Sequence, residues 1–148
     1  MWEVITGSVE ISRPPADVFA YLDELDRHSE WQSDLISSRL DTEGPVRVGT
    51  RATDTRKVPG GPQEMTYEIT EHDPPRTSSW RVINGPVRAV GTVRVEPLDD
   101  GSRSRVSVEF DLEGHGIGVL IAPFARMQAR KQVPESQARL KEILESRA

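Results

Sequence analysis

Between residues 35 and 112 the chain repeats one pattern: short runs of alternating apolar and polar residues, separated by breaks rich in glycine, proline and aspartate. A period of two buries one face of each run and wets the other, which is the habit of an antiparallel sheet. Residues 64–72 alternate most cleanly, with Met65, Tyr67 and Ile69 on one face and Glu64, Thr66 and Glu68 on the other. Residues 78–84 set Trp80 beside Val82. Residues 87–96 set Ala89, Gly91, Val93 and Val95 together, and 103–112 do the same for Val106, Val108, Phe110 and Leu112. The breaks are Pro59-Gly60-Gly61-Pro62, Asp73-Pro74-Pro75, Gly85-Pro86 and Asp99-Asp100-Gly101-Ser102. In the last of these an Asp-Gly pair offers the positive φ of a tight hairpin. Further strands over 3–12, 35–41 and 50–58 bring the expected number to seven.

Three helices interrupt or follow this series. Arg13-Pro14-Pro15-Ala16 opens the first, because proline presets φ and lacks an N–H that the first turn does not use. Val18, Tyr21, Leu22 and Leu25 then follow helical spacing. Residues 26–31 predict a second short helix with Asp26 as its N-cap. The last segment is one long helix. Ile121, Ala125, Ala129, Val133, Leu140 and Leu144 recur at three- and four-residue multiples, and Leu120, Phe124 and Met127 widen the stripe. Pro134 inside it predicts a kink. A sheet with one apolar face needs a cover, and only this helix is large enough. The expected architecture is therefore a single α+β domain over residues 1–148, with a space between sheet and helix of the kind that holds small molecules.

Composition narrows the function. The chain has no cysteine, which removes disulfides, thiol nucleophiles and Cys-ligated metals. Its net charge of −5 speaks against a phosphate-backbone grip, so no nucleic-acid partner is expected. His28, His72 and His115 are scattered without metal-ligand spacing. Gly114-His115-Gly116-Ile117-Gly118 lies between a strand and a helix, but lacks dinucleotide-loop spacing and any βαβ unit. It reads as a strand-to-helix turn, and no cofactor is expected. The apolar run 117–125 is too short to span a bilayer, and residues 1–10 carry no leader pattern, so a cytoplasmic location is expected.

Four stretches resemble the START-like (SRPBCC) superfamily, in its polyketide cyclase/dehydrase branch. They are Val9-Glu10-Ile11-Ser12-Arg13-Pro14-Pro15-Ala16-Asp17-Val18-Phe19; Asp26-Arg27-His28-Ser29-Glu30-Trp31; the aspartate–proline break followed by Trp80 and Val82; and the hairpin around Asp99-Asp100-Gly101-Ser102 with the closing Leu140-Lys141-Glu142-Ile143-Leu144-Glu145. The resemblance implies a helix-grip fold: a seven-stranded antiparallel sheet wrapped around a long C-terminal helix, with two short helices after the first strand. It also implies either a hydrophobic ligand (lipid-, quinone- or polyketide-like) or cyclisation and dehydration of a poly-β-ketone chain. A fold shared by so many activities assigns none of them by itself.

Candidate residues follow from the pattern. Trp31, Tyr67 and Trp80 are either core packing or a wall that stacks on a flat ligand, with the Tyr67 hydroxyl as donor. Met65, Val82 and Phe110 share the expected inner face, and Phe124 faces it from the long helix. The strand 50–58 alternates without a convincing apolar face. It reads as an exposed edge guarded by charge, or else as a polar part of the site in which Asp54 with Arg51 or Arg56 polarises a ligand carbonyl. Asp54 and Tyr67 are the candidate catalytic groups. The basic side of the long helix, with Arg126, Arg130, Lys131, Arg139 and Lys141, is expected to face water while the sheet consumes its apolar stripe. Ligand binding ranks first, a cyclase second and a ligand-free interaction module third.

Overall fold

Each alternating run folds as a strand, and every neighbouring pair is antiparallel. The structure is a computed structural model that describes residues 4–58 and 60–147. Glu3 and Pro59, at the start of the first expected strand and in the 59–62 turn, lie outside the described residues. The elements are β1 (Ile5–Ile11), α1 (Pro15–Leu22), a 3-10 helix (Leu25–Glu30), β2 (Leu35–Leu40), β3 (Arg51–Val58), β4 (Gly61–Asp73), β5 (Thr77–Val82), β6 (Val87–Leu98), β7 (Arg103–Gly114) and α2 (Gly118–Glu145). One sheet of seven strands, ordered β1-β7-β6-β5-β4-β3-β2, curls around α2 in the helix-grip manner.

Register decides what faces α2, because directly opposed residues share a face. Gly7 and Val9 stand opposite Val108 and Val106, and Gly91 stands opposite Phe110 on one side and Trp80 on the other. Farther along, Ile69 opposes Trp80, Tyr67 opposes Val82, Ala52 opposes Tyr67 and Asp54 opposes Met65. All of these residues therefore share one inner face.

α2 lies over β1, β7 and β6. It lies close: a Cβ on Gly7 would sit 2.5 Å from Val133 Cγ1, so β1 needs glycine there. Leu140 and Leu144 are buried with Ile11, Val18, Phe19, Tyr21, Leu22, Val95 and Val106. Hydrogen bonds to the β1–α1 link fix the same end. Lys141 Nζ donates to Glu10 O at 2.8 Å, Ser12 N donates to Glu145 at 2.9 Å, and Arg13 Nε donates to Leu144 O at 2.9 Å.

Three expectations are corrected. The 3-10 helix begins at Leu25 after Glu24, with no side-chain cap, so Asp26 sits inside its first turn. β3 is not an edge: β4 pairs on one side of it and β2 on the other, and the sheet ends at β1 and β2. The first half of α2 is rotated from the expected stripe. Gly118 and Ala122 are buried there, whereas Leu120, Phe124 and Met127 are exposed. Close approach is the physical reason. A Cβ on Gly118 would stand 1.6 Å from Pro86 O, so the helix can meet the β5–β6 turn only through small residues.

Candidate functional site

The inner face divides at β6. α2 covers β1, β7 and β6, while the 3-10 helix packs on β2 at the other edge. Between them lie Met65, Trp80, Val82 and Phe110, each half-buried. Trp80 and Phe110 pack with ring centroids 6.4 Å apart. Gly91 between them makes this possible, since a Cβ there would lie 2.5 Å from Phe110 Cβ and 2.7 Å from Trp80 Cζ2. The sequence therefore builds an aromatic strip across three strands by placing glycine on the middle one.

The interior also holds polar atoms that have no partner among the described residues. The Tyr67 hydroxyl, Trp31 Nε1 and Gln137 Nε2 are each shut off from solvent, and among the described residues no group bonds to them. They come from different places: Tyr67 belongs to the cluster of Leu25, Ala52 and Ile69, Trp31 packs on the cluster of Leu140 and Leu144, and Gln137 stands against Gly7 of β1. All three can donate a hydrogen bond. Burial first, and then the charge of nearby Asp54, pushes the Tyr67 hydroxyl well above its usual range. It stays protonated and is a donor at any physiological pH.

Asp54 itself is buried and fully engaged. Ser38 Oγ donates to one oxygen at 2.8 Å and Arg56 Nη2 to the other at 3.1 Å. Arg56 also reaches Gln32 at 2.7 Å and Asp34 at 3.0 Å. The Gln132 amide donates to Asp34 at 2.8 Å and accepts from Gln128, whose Nε2 reaches Lys57 O at 3.4 Å. A continuous polar chain thus ties β3 to the flank of α2.

Of the residues expected from sequence, Asp54, Met65, Tyr67, Trp80, Val82 and Phe110 come together on the inner face. Trp31 stands half-buried at the end of the 3-10 helix, edge-on to His28 at 5.3 Å. Arg51 does not join them. It is opposite Glu68 on the outer face, exposed, and paired to that carboxylate at 3.6 Å. Phe124 does not join them either, being 65% exposed. Gln137 escaped the sequence reading, although a glutamine between Val133 and Leu140 in a helical stripe was a usable signal. Gln32 and Asp34 lie in an irregular link whose path no periodicity reports.

Two of the three histidines, His28 and His72, have structural duties. His28 Nε2 lies 2.7 Å from Leu22 O, and burial holds its pKa below the ordinary value, so the neutral ring donates to that carbonyl. His72 Nε2 lies 2.8 Å from Asp23, tying β4 to the end of α1. Of two surface concavities, one of about 400 Å³ is lined by Trp80, Gly91 and Phe110 together with Thr92 and Glu109, and one of about 410 Å³ lies at the corner of His115 and Ala122.

Residues 3–145 match the family described as polyketide cyclase / dehydrase and lipid transport. The chain belongs to this family. Solved structures at low identity share its fold. The Zhui aromatase/cyclase from Streptomyces sp. R1128 is 13% identical, with a TM-score of 0.84 over 98% of this chain and 94% of its own. A protein from Thermus thermophilus is 18% identical, with a TM-score of 0.79 over 96% of this chain and 97% of its own. A START superfamily protein from Mycobacterium smegmatis is 9% identical, with a TM-score of 0.73 over 95% of this chain and 98% of its own. At such identities the likeness speaks for fold. No curated protein matches the chain. In this member of the family, the inner face thus combines a half-buried aromatic strip, an unpartnered tyrosine hydroxyl and an engaged carboxylate.

Proposed function

We propose that this protein binds a small, largely apolar ligand bearing hydrogen-bond acceptors, such as a fatty acid, a quinone or an aromatic polyketide, against the inner face between α2 and β3–β6. One observation carries the reading: the buried Tyr67 hydroxyl has no partner among the described residues and stands beside the strip of Met65, Trp80, Val82 and Phe110. A buried donor left unpaired costs about 1–3 kcal/mol. A carbonyl or carboxyl oxygen recovers that cost while the apolar body of the ligand stacks on Trp80 and Phe110. The family description, which includes lipid transport, supports the same reading.

Thermal unfolding against long-chain fatty acids, quinones and aromatic polyketides tests it. A ligand at a hundred times its dissociation constant stabilises by about 2.7 kcal/mol, a rise of roughly 5–10 °C for a chain this size. Tyr67→Phe should weaken the binding class by about two- to ten-fold. No shift with any class, or full affinity in Tyr67→Phe, removes the reading.

Cyclisation and dehydration of a β-ketone chain is the second reading, favoured by the nearness of Asp54 and Tyr67. In it Tyr67 donates to a carbonyl oxygen as negative charge develops there, and Asp54 acts as a fixed charge rather than a free base, because Ser38 and Arg56 already hold both of its oxygens. Turnover of a β-ketone substrate that survives both Tyr67→Phe and Asp54→Asn would exclude these roles.

A further inference from the structure

The two halves of α2 are held to the rest of the fold by different kinds of contact. Among the described residues of α2, those buried before Pro134 are Gly118 and Ala122, and those buried after it are Ser136, Gln137, Leu140 and Leu144. Ala129 turns to the same side as Ala122, yet it is only half-buried. Little apolar area therefore holds residues 118–133 down, and a segment with few buried apolar contacts opens before its neighbours do. Both ends of the segment can bend. Pro134 has no N–H to offer the helix, so the backbone ladder is interrupted there. At the other end Gly116 has a φ of 61°, and nothing packs within 4 Å of where its Cβ would be.

Polar contacts hold the segment instead. On the β7 flank, Arg126 Nε donates to Asp111 at 3.3 Å and Nη2 donates to Leu112 O. On the β3 flank, the Gln132 amide donates to Asp34 at 2.8 Å and Gln128 Nε2 donates to Lys57 O at 3.4 Å. Arg56 of β3 holds the same Asp34 carboxylate at 3.0 Å, so the acceptor stays with the sheet when the helix moves. An ion pair secures the β7 flank and amides secure the β3 flank, so the β3 flank releases first.

We infer that residues 118–133 form a strap that lifts on its β3 flank, between bends at Gly116 and Pro134, with Gln128 and Gln132 as its latch. Lifting uncovers the β3 side of the inner face, while Leu140 and Leu144 keep the rest of α2 in place. What then enters rests on the ligand binding proposed above. The lifting itself belongs to the ligand-free chain and is measured without a ligand.

Hydrogen exchange of the ligand-free full chain, read by mass spectrometry, tests it. Amides within 119–133 should exchange about ten-fold or more faster than those within 137–145, and as one unit. The double variant Gln128→Ala, Gln132→Ala should speed exchange within 119–133 by a further factor of about three to ten and leave 137–145 unchanged. Alanine favours the helix at both positions, so a weaker helix does not explain such a rise. Pro134→Ala restores the missing backbone bond and should slow the same amides about three-fold or more. Equal protection of the two halves overturns the inference. So does a double variant that exchanges as the parent does or speeds both halves alike, or a Pro134→Ala variant that is no slower. A strap that lifts in a chain showing no thermal shift with any ligand removes only the ligand reading, and a thermal shift without lifting removes only the strap.

Discussion

The two halves of α2 sit on the same sheet and are treated in opposite ways. Around Leu140 and Leu144 the interior is apolar, and hydrogen bonds to Glu10, Ser12 and Arg13 lock the helix end. Around Ala122 and Ala129 the helix meets its neighbours through small residues, exposes its large ones, and joins β3 by a chain of amides and carboxylates. The chain's two tyrosines mirror the contrast. Tyr21, in the locked half, donates to Glu30 at 2.7 Å, while Tyr67 has no partner among the described residues. One half buries its large apolar residues, and the other exposes them and is tied to β3 through polar groups. Such local departures from good packing collect where proteins do work.

Truncation breaks the comparison most directly. Leu140→Ala empties a site that is 1% exposed and should cost about 3–4 kcal/mol in urea denaturation. Phe124→Ala removes a larger side chain from the same helix and should change stability by no more than about 0.5 kcal/mol. Comparable losses would mean that the first half of α2 is packed after all.

The polar chain sharpens the comparison at a smaller scale. Arg56→Met strands the buried Asp54 carboxylate with Ser38 alone. Full burial would make that cost several kcal/mol, but the Arg56 side chain is 24% exposed, which lowers it to about 2–3 kcal/mol. Adding Asp54→Leu should recover part of the loss, since the stranded charge is then gone. A double variant no more stable than Arg56→Met would show that the pair holds the fold and not only the site.

The strand pattern was readable because alternation reports a face without needing a fold. Met65, Tyr67, Trp80, Val82 and Phe110 were placed on one face for that reason, and register brings them together. Asp54 was readable only as one of two options. A strand with charges on both faces gives no sign of whether it lies at an edge, and its place between β4 and β2 is a property of the whole sheet. Arg51 and Asp54 are three residues apart, so the period of two puts them on opposite faces. Proximity in sequence obscured this. Phe124 failed for another reason. Helical periodicity fixes which residues share a face, but the turn of that face toward the sheet is set by the contact of Gly118 with Pro86, which is remote in sequence.

The smallest effect separates the two tyrosines. Burial first, and then the bond to Glu30, pushes the Tyr21 hydroxyl up to about 12, so it donates to Glu30 across the whole working range of pH. Tyr21→Phe removes that bond and should cost about 1 kcal/mol. Tyr67→Phe removes a hydroxyl that no group bonds to among the described residues, and should leave the ligand-free protein equally stable or more stable by up to about 1 kcal/mol, because a buried donor without an acceptor is a cost rather than a gain. The same substitution should weaken ligand binding. Opposite signs in stability and affinity at Tyr67, set against a simple loss of stability at Tyr21, are what a group kept for a ligand produces. Equal destabilisation by the two variants, measured in the same urea series, would make Tyr67 an ordinary core residue and return the inner face to packing.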